Sequence, residues 1–287
     1  AIALYDPRKH NPHISGAVGD PGVICLTYGS LALWSLGYPD QAVKKNHEAL
    51  ILAQESSHPY SWAHALNFAA TLYQFRQEEQ ATQERAEAAI ALCAEQGFAL
   101  HLAMGISLRG WSLAEQGQRG GGIAQIRRGL AAFSATGTVM GRSYYLALLA
   151  EAYGKAGQSE EGFALLAEAL ALVQKTGERR WEAELYRLKG ELTLQKSEVS
   201  KSQLLNPNSH TEAEACFLKA IDIARKQQAK SLELRAATSL ARLWQQQGKR
   251  AEAHKLLSEV YNWFTEGFDT KDLQEARGLV EELEAIP

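Results

Sequence analysis

The sequence is poor in the features that would argue against a helical protein. It has seven prolines in 287 residues, and none lies between Tyr60 and Asn206, although proline is the main breaker of helices. Alternating runs of β-branched and aromatic residues, which predict strands, are scarce. The same region is dense in Ala, Leu, Glu, Gln and Arg, all strong helix formers. The sequence therefore predicts an all-α protein.

The sequence also has few cysteines and a small net charge. Cys25, Cys93 and Cys216 are odd in number and far apart, which argues against a disulfide framework and favours a reducing, cytoplasmic setting. Thirty Lys and Arg against 33 Asp and Glu leave a formal net charge of -3, so the basic footprint of a nucleic-acid-binding protein is missing. No run of about 18 apolar residues predicts a membrane-spanning helix. We expect neither nucleic acid nor a membrane as a partner.

The start of the chain lacks an initiator methionine and a signal-peptide pattern. We interpret the chain as a piece of a larger protein. Residues 1–20 are rich in proline and glycine and predict an irregular lead-in. Residues 21–287 then form one helical domain.

Glycines recur at a fixed spacing along that domain. Gly97, Gly137 and Gly177 each follow a polar helix end and are 40 residues apart. A second set closes the preceding helix of each unit: Gly37, Gly117, Gly157 and Gly248. Glycine at such points fits the left-handed residue that ends a helix. Two glycine-terminated helices in every 40 residues predict a helical hairpin, and repeated hairpins predict a solenoid.

Small side chains repeat with the same period inside the helices. One set lies in the first helix of each unit (Ser30, Ala69, Gly110, Ala150, Gly190, Ala241), and another lies early in the second (Ala42, Ala81, Gly122, Gly162, Ala213, Ala253). Small residues at both places let paired helices approach closely. We predict about six hairpins of about 40 residues each.

Two further segments complete this prediction. Residues 195–211 are polar, Ser-rich and contain Pro207, and they cause the single 51-residue step in the repeat, so they predict an inserted loop. Asp269 and Asp272 predict the start of a last, unpaired helix through Glu284, of the kind that caps an open array.

This pattern resembles the tetratricopeptide repeat. The first hairpin shows it as Ser30, Leu33, Gly37, Ala42 and Ala49, and the fourth shows it as Ala150, Tyr153, Gly157, Gly162 and Ala169. The resemblance implies a right-handed α-solenoid. The chain departs from the family in its unit of about 40 rather than about 34 residues. It also has Arg76 where a turn glycine is expected and lacks the closing proline of each unit.

The long units also resemble the sensor arrays of bacterial signalling ATPases of the maltose-regulator type. Three runs, 20–42, 184–192 and 266–273, resemble the C-terminal region of bacterial proteins that join a class III nucleotide (adenylate) cyclase or a kinase domain to an ATPase and tetratricopeptide repeats. The resemblance implies a part for regulation of signal transduction, without the catalytic parts.

Motifs for chemistry are missing. Tyr153–Gly157 lacks the first glycine and the hydroxyl of a P-loop, and Gln118–Gly122 is interpreted as a turn between two helices. The histidines show no metal-ligand spacing and are interpreted as solvated or loop residues, and Cys93 and Cys216 as buried small hydrophobes. We expect no enzyme activity, no cofactor and no metal.

The remaining functional feature is the surface of the first helices, which line the concave groove in tetratricopeptide arrays. The repeat register predicts these groove residues: Trp34, Tyr73, Met104, Trp111, Tyr144, Glu151, Glu184, Arg187, Arg235 and Arg242. The first four hairpins would present an aromatic wall and the last two a mixed, partly basic one. Aromatic residues and arginine dominate binding hot spots.

Alternatives to this groove remain open. Trp34 and Trp111 could instead pack between hairpins, and one of the adjacent Tyr144 and Tyr145 would be packed while the other is accessible. The arginines could form surface pairs: Arg187 with Glu184 or Glu191, and Arg242 with Glu233. Trp62 and Trp181 are predicted to pack between repeats.

Two hypotheses of function follow. In the first, the groove binds a protein or peptide, including the catalytic or ATPase domains of the same polypeptide. In the second, the chain is a small-molecule sensor that controls an attached ATPase or cyclase, with Trp34, Tyr73 and Trp111 as stacking surfaces. Self-association is a further expectation, because cutting an array exposes its first helix: residues 21–36, apolar on much of their surface, would then form a homodimer contact.

Overall fold

The computed structural model of the chain describes residues 19–199 and 207–284, and side chains for 19–196 and 209–284. Within these ranges the chain forms thirteen helices and no strand. They are α1 (Pro21–Ser35), α2 (Pro39–Glu55), α3 (Pro59–Phe75), α4 (Glu79–Gln96), α5 (Ala99–Glu115), α6 (Arg119–Ala135), α7 (Arg142–Lys155), α8 (Ser159–Thr176), α9 (Glu182–Val199), α10 (Pro207–Lys226), α11 (Lys230–Gln246), α12 (Arg250–Tyr261) and α13 (Lys271–Glu284). The first twelve pair into six hairpins and α13 follows alone, which confirms the predicted architecture. Most of the predicted lead-in, residues 1–18, lies outside the described ranges.

The chain divides into two compact units. The first comprises residues up to Trp34 and Tyr38–Val139, and the second comprises Ser35–Gly37 and the residues from Met140 onward. In the first unit, α2 to α6 pack each against the next, and α3 also packs against α5. In the second unit, α7 to α13 pack in the same way, and α7, α9, α11 and α13 contact one another in succession. First helices of successive hairpins thus lie side by side within each unit.

Helices end in residues of left-handed backbone conformation at the positions that the recurring glycines predict. All seven glycines of that series have a positive φ, between 72° and 92°. Ser57, Gln77 and Gln228 adopt the same conformation without being glycine, with φ of 50° to 58°. Gln77, rather than Arg76, therefore occupies the turn position of the second hairpin.

Arg76 has a different role at that turn. Its side chain is buried, donates a hydrogen bond to the carbonyl of Pro39 at 3.3 Å and pairs with Glu78. Its hydrogen bond thus connects the end of α3 with the start of α2.

Close backbone approach explains the small residues inside the hairpins. A Cβ added to Gly122 would lie 2.6 Å from the carbonyl oxygen of Gly110, so α5 and α6 can meet only if both positions stay small. In the second hairpin the corresponding buried residue is Thr82, not the predicted Ala81, because Ala81 lies one position off the buried stripe.

The helices on either side extend into the segment predicted as an inserted loop. Helix α9 continues to Val199 and α10 begins at Pro207, so both ends of the predicted loop 195–211 are helical, and residues 200–206 lie outside the described ranges. Proline at the first helical position is favourable, because its missing N–H would have no partner there.

The last helix packs as a cap. Leu273, Ala276, Leu279 and Leu283 recur every three or four residues, are buried, and join one hydrophobic core with α10, α11 and α12. The helix begins at Lys271, two residues after the predicted start, and keeps Asp272 in its first turn.

Candidate functional site

The repeat register places different chemistry on the first helices of the two units. His64, Met104, Tyr144 and Glu184 follow one another at intervals of 40 residues, and Arg235 takes the same place in the sixth hairpin. The members in the first unit are neutral. From Glu184 onward they are charged.

Buried charges connect α9, α11 and the terminal helix α13 of the second unit. Arg187 on α9 donates two hydrogen bonds to Glu184, at 2.7 and 2.9 Å. Arg235 on α11 donates through Nε to both oxygens of Asp272 on α13, at 2.9 and 3.1 Å. One guanidinium nitrogen of Arg235 also lies 3.9 Å from Glu184. These four side chains, exposed by only 10 to 14%, are called the acid–base floor.

Burial and pairing compete over the pKa values of the floor. Burial would raise the pKa of Glu184, but Arg187 and, less strongly, Arg235 hold it below its usual value. Burial would lower the pKa of Arg187, but the same pairing raises it. For Asp272 burial prevails, so its pKa is raised although Arg235 opposes the shift. Asp272 is therefore the floor carboxylate most readily neutralised.

More exposed charges surround the floor. We call them the rim: Glu151, Lys155, Glu191, Arg242 and Glu275, with side chains exposed by 23 to 48%. Lys155 pairs with Glu151 at 2.9 Å, and Arg242 pairs with Glu275 at 3.0 Å. Glu191 receives a hydrogen bond from Ser239 at 2.5 Å and lies 3.4 Å from Arg187. The rim thus offers both signs of charge to solvent.

The predicted partly basic character of this surface is corrected by these pairs. Arg187 binds Glu184 and Glu191, as one alternative predicted, while Arg242 binds Glu275 on α13 instead of Glu233. Glu233 lies nine residues before Arg242 on the same helix, which is about 13 Å along the axis and out of reach. Floor and rim together hold four basic and five acidic side chains, so the surface has no excess of positive charge.

Two aromatic rings lie beside the floor. Tyr144 at the start of α7 stacks on Trp181, with ring centroids 4.9 Å apart and an interplanar angle of 27°. Both are buried, and so is Tyr145, so the prediction that one of the two tyrosines is accessible is wrong. Burial holds the pKa of Tyr144 well above its ordinary value. The guanidinium of Arg180 lies 5.5 Å from the Trp181 ring centroid.

The predicted aromatic wall of the first unit is largely buried. Trp34 is 2% exposed and lies 4.7 Å from Phe75, centroid to centroid, and Trp111 is 3% exposed. Tyr73 is half-buried and packs against the core of α1 to α4. Met104 on α5 is likewise half-buried. These placements favour the alternative in which the tryptophans pack inside the array.

A buried histidine pair in the first unit was missed by sequence reasoning. Thr27 donates its hydroxyl hydrogen to the carbonyl of Ile24, so it accepts a hydrogen bond from His64 Nε2 at 3.0 Å. Nδ1 of His64 then accepts from His101 Nε2 at 3.4 Å. Tyr60 meets His101 edge to face at 4.8 Å. These partners assign one neutral tautomer to each imidazole.

Burial keeps both imidazoles neutral. It lowers the pKa of His64 to about 3, with a contribution from His101, and that of His101 to about 4. The interpretation of these two histidines as solvated or loop residues is therefore wrong. Sequence reasoning could have used their position inside helical stretches. The helix that carries His64, α3, contains no Asp, Glu, Lys or Arg at all, which indicates a buried helix.

A small cavity lies where α2 turns into α3. It measures about 280 Å³ and is lined by Ala53, Gln54, Ser57, His58, Pro59, Trp62 and Leu92. The lining is mainly apolar, and Trp62 contributes an aromatic face. The cavity lies near the lower end of the size range of ligand pockets.

The described residues hold no group of three or more His, Cys, Asp or Glu that could bind a metal ion. Burial raises the pKa of the Cys93 thiol to about 11, so this cysteine is a protonated core residue, whereas Cys216 is half-buried. Among the described helices, none combines the length and apolarity required to cross a bilayer.

Comparisons with known proteins leave the family open. No sequence profile of a known protein family matches the chain. An uncharacterized protein of Rhizobium meliloti (strain 1021) is 24% identical over 244 residues, which are 84% of this chain and 23% of that protein. The chain therefore spans about a quarter of that relative's length.

Solved structures of similar shape contain tetratricopeptide-like repeats. A putative kinesin light chain of Podosopora anserina with nearly identical TPR-like repeats is 20% identical, with a TM-score of 0.46, covering 80% of this chain and 100% of that one. A variant of the same kinesin light chain is 21% identical, with a TM-score of 0.48, covering 71% and 94%.

Proposed function

We propose that the chain is a non-catalytic interaction module and that a protein or peptide segment binds on the acid–base floor and rim of the second unit. The module would serve a larger bacterial, cytoplasmic signalling protein, and its partner would be the ATPase or cyclase region of the same polypeptide. The alignment with a quarter of a longer Rhizobium meliloti protein supports a modular role.

The observation that carries this proposal is the division of charges between floor and rim. The floor side chains are held by each other, so their geometry is fixed before a partner arrives, and a preorganised surface loses less entropy on binding. The rim pair Arg242–Glu275 is half-exposed, with side chains 48 and 38% exposed, and exposed pairs are weak, so a partner's own charges can replace it. The balance of both signs favours a polypeptide over a nucleic acid.

The test uses the region that adjoins this chain in the full reading frame, produced as a separate protein. Titration calorimetry would measure its affinity for the wild-type chain and for a rim variant, R242A/E275A. We expect binding to weaken at least tenfold in the rim variant. The matched control is R277A/E281A, which removes an exposed pair on α13, the helix that carries Glu275. Its side chains are 68 and 61% exposed, and its removal leaves the rim intact.

Two results would count against the proposal. Equal affinity of the rim variant and the wild type would show that the second-unit surface is not the binding site. Turnover of a nucleotide or other substrate by the purified chain would contradict a non-catalytic role.

A small-molecule sensor is the second candidate, supported by the 280 Å³ cavity beside Trp62. A ligand that enters it stabilises the native state by mass action. Screening sugars and nucleotides by thermal denaturation should then give a rise in Tm that is lost in W62A, which removes the aromatic face of the cavity. Absence of any rise across the panel would remove this candidate.

A further inference from the structure

Helix α6 carries an uncompensated positive charge. Among the thirteen helices of the described ranges, it alone contains cationic residues and no Asp or Glu. Arg119, Arg127 and Arg128 are all exposed, and none of their side chains has a hydrogen bond or ion pair in the part of the chain that the structure describes. The arginines of the acid–base floor, by contrast, are all paired. The chain as a whole has a net charge of -3, so this cluster of unpaired guanidinium groups is a local positive patch. A positive patch favours an acidic partner.

Two of these arginines lie on either side of a row of small side chains. At about 100° per residue, Gly120, Ala131 and Ala135 all lie within about 40° of Ala124 around the helix axis. Arg127 lies about 60° to one side of that line and Arg128 about 40° to the other. All six are exposed, and we call them the α6 outer face: Gly120, Ala124, Arg127, Arg128, Ala131 and Ala135.

This geometry fits a helix better than an extended chain. Small side chains let a partner backbone approach closely, as the opposite side of α6 already does with α5, where a Cβ on Gly129 would lie 2.8 Å from the backbone nitrogen of Ser107. Charges that flank such a row meet the flanks of the facing helix, as at the e and g positions of a coiled coil. Arginine binds carboxylates with two parallel hydrogen bonds.

We propose that the α6 outer face is the docking site for an acidic amphipathic helix of a partner protein. Alanine or leucine on that helix packs on the small-residue row, and its carboxylates pair with Arg127 and Arg128. Nucleic acid fits less well, because the face has no aromatic side chain for a base to stack on. The site shares no residue with the floor or rim, so it is independent of the function proposed above.

The test uses a fluorescein-labelled peptide of 18 residues, a helix of alanine and leucine with glutamates on both sides of the apolar ridge. Fluorescence anisotropy at low salt should show saturable binding to the wild-type chain. R127E/R128E should weaken binding at least tenfold. The charge-matched control K255E/K271E alters two exposed lysines on α12 and α13 and should bind like the wild type.

A second variant separates helix docking from simple charge attraction. A124F/A131F keeps both arginines but blocks close approach, and it should weaken binding at least fivefold, with circular dichroism confirming an intact fold. Equal binding of a peptide with the same composition in scrambled order would overturn the proposal. So would dimerisation of the chain that depends on Arg127 and Arg128, or tighter arginine-dependent binding of a single-stranded oligonucleotide.

Discussion

Arg235 Nε on α11 donates hydrogen bonds to both carboxylate oxygens of Asp272 on α13, at 2.9 and 3.1 Å, and both side chains are nearly buried. The pair fastens the terminal helix to the hairpin before it. Burial raises the pKa of Asp272 in spite of this partner, so the cost of burying the charge is large. The ion pair therefore stabilises the fold little more than an apolar contact in the same place would.

Removing one partner of this pair should destabilise the second unit. D272A leaves Arg235 as a buried charge with its main partner lost, so we expect the free energy of unfolding to fall by about 3 kcal/mol. R235M/D272L replaces both charges with apolar groups and should lie within about 1 kcal/mol of the wild type. Urea denaturation measures both. A double variant as unstable as D272A would show that the ion pair itself stabilises the fold.

The buried histidine pair should make the first unit sensitive to acid. The pKa of each imidazole is lower in the folded than in the unfolded chain, where it is about 6.5, so acid favours unfolding. Stability should fall as the pH drops from about 6.5 towards 4, by about 2 kcal/mol per histidine at pH 5. Urea denaturation at pH 7.5 and 5 measures this loss.

The variant H64Q/H101Q should lose less stability over the same pH interval, because glutamine does not titrate. H47Q, which alters an exposed histidine on α2, should lose as much as the wild type. If H64Q/H101Q shows the full wild-type loss, the acid sensitivity resides in other groups.

Two glutamines in the left-handed conformation offer stabilising substitutions. Gln77 and Gln228 have φ of 58° and 56°, a region that disfavours side chains with a Cβ. Q77G and Q228G should each raise the free energy of unfolding by about 0.5–1 kcal/mol, after allowing for the greater freedom of glycine in the unfolded chain. A156G, at φ of -88°, is the control and should lower stability by a similar amount. Thermal denaturation compares all three.

Two helical glycines should respond to alanine in opposite directions. A Cβ on Gly190 of α9 would lie 2.5 Å from the Phe217 ring, so G190A should destabilise by about 2 kcal/mol. A Cβ on Gly121 of α6 meets nothing within 4 Å, so G121A should stabilise by up to about 1 kcal/mol through helix propensity. Chemical denaturation of both variants would check the pair. A neutral G190A would mean that α9 and α10 can separate without loss.

The repeat in the sequence determined most of the architecture, because it records local requirements. A left-handed turn favours glycine whatever surrounds it, so Gly117 and Gly157 indicate helix ends without tertiary information. A helix crossing without room for a side chain selects glycine, so Gly110 and Gly122 indicate a hairpin. Period, helix count and terminal cap all follow from such signals.

Only the tertiary structure decided which side chains remain accessible. Trp34 and Trp111 occupy first-helix positions that the register assigns to the groove, yet both are buried, since burial depends on neighbours distant in sequence. The same holds for charge: Arg235 and Asp272 are 37 residues apart, and helix packing alone turns them into a pair. A single helix specifies the direction of its side chains, but the partner that each one meets is set by the helix packed against it.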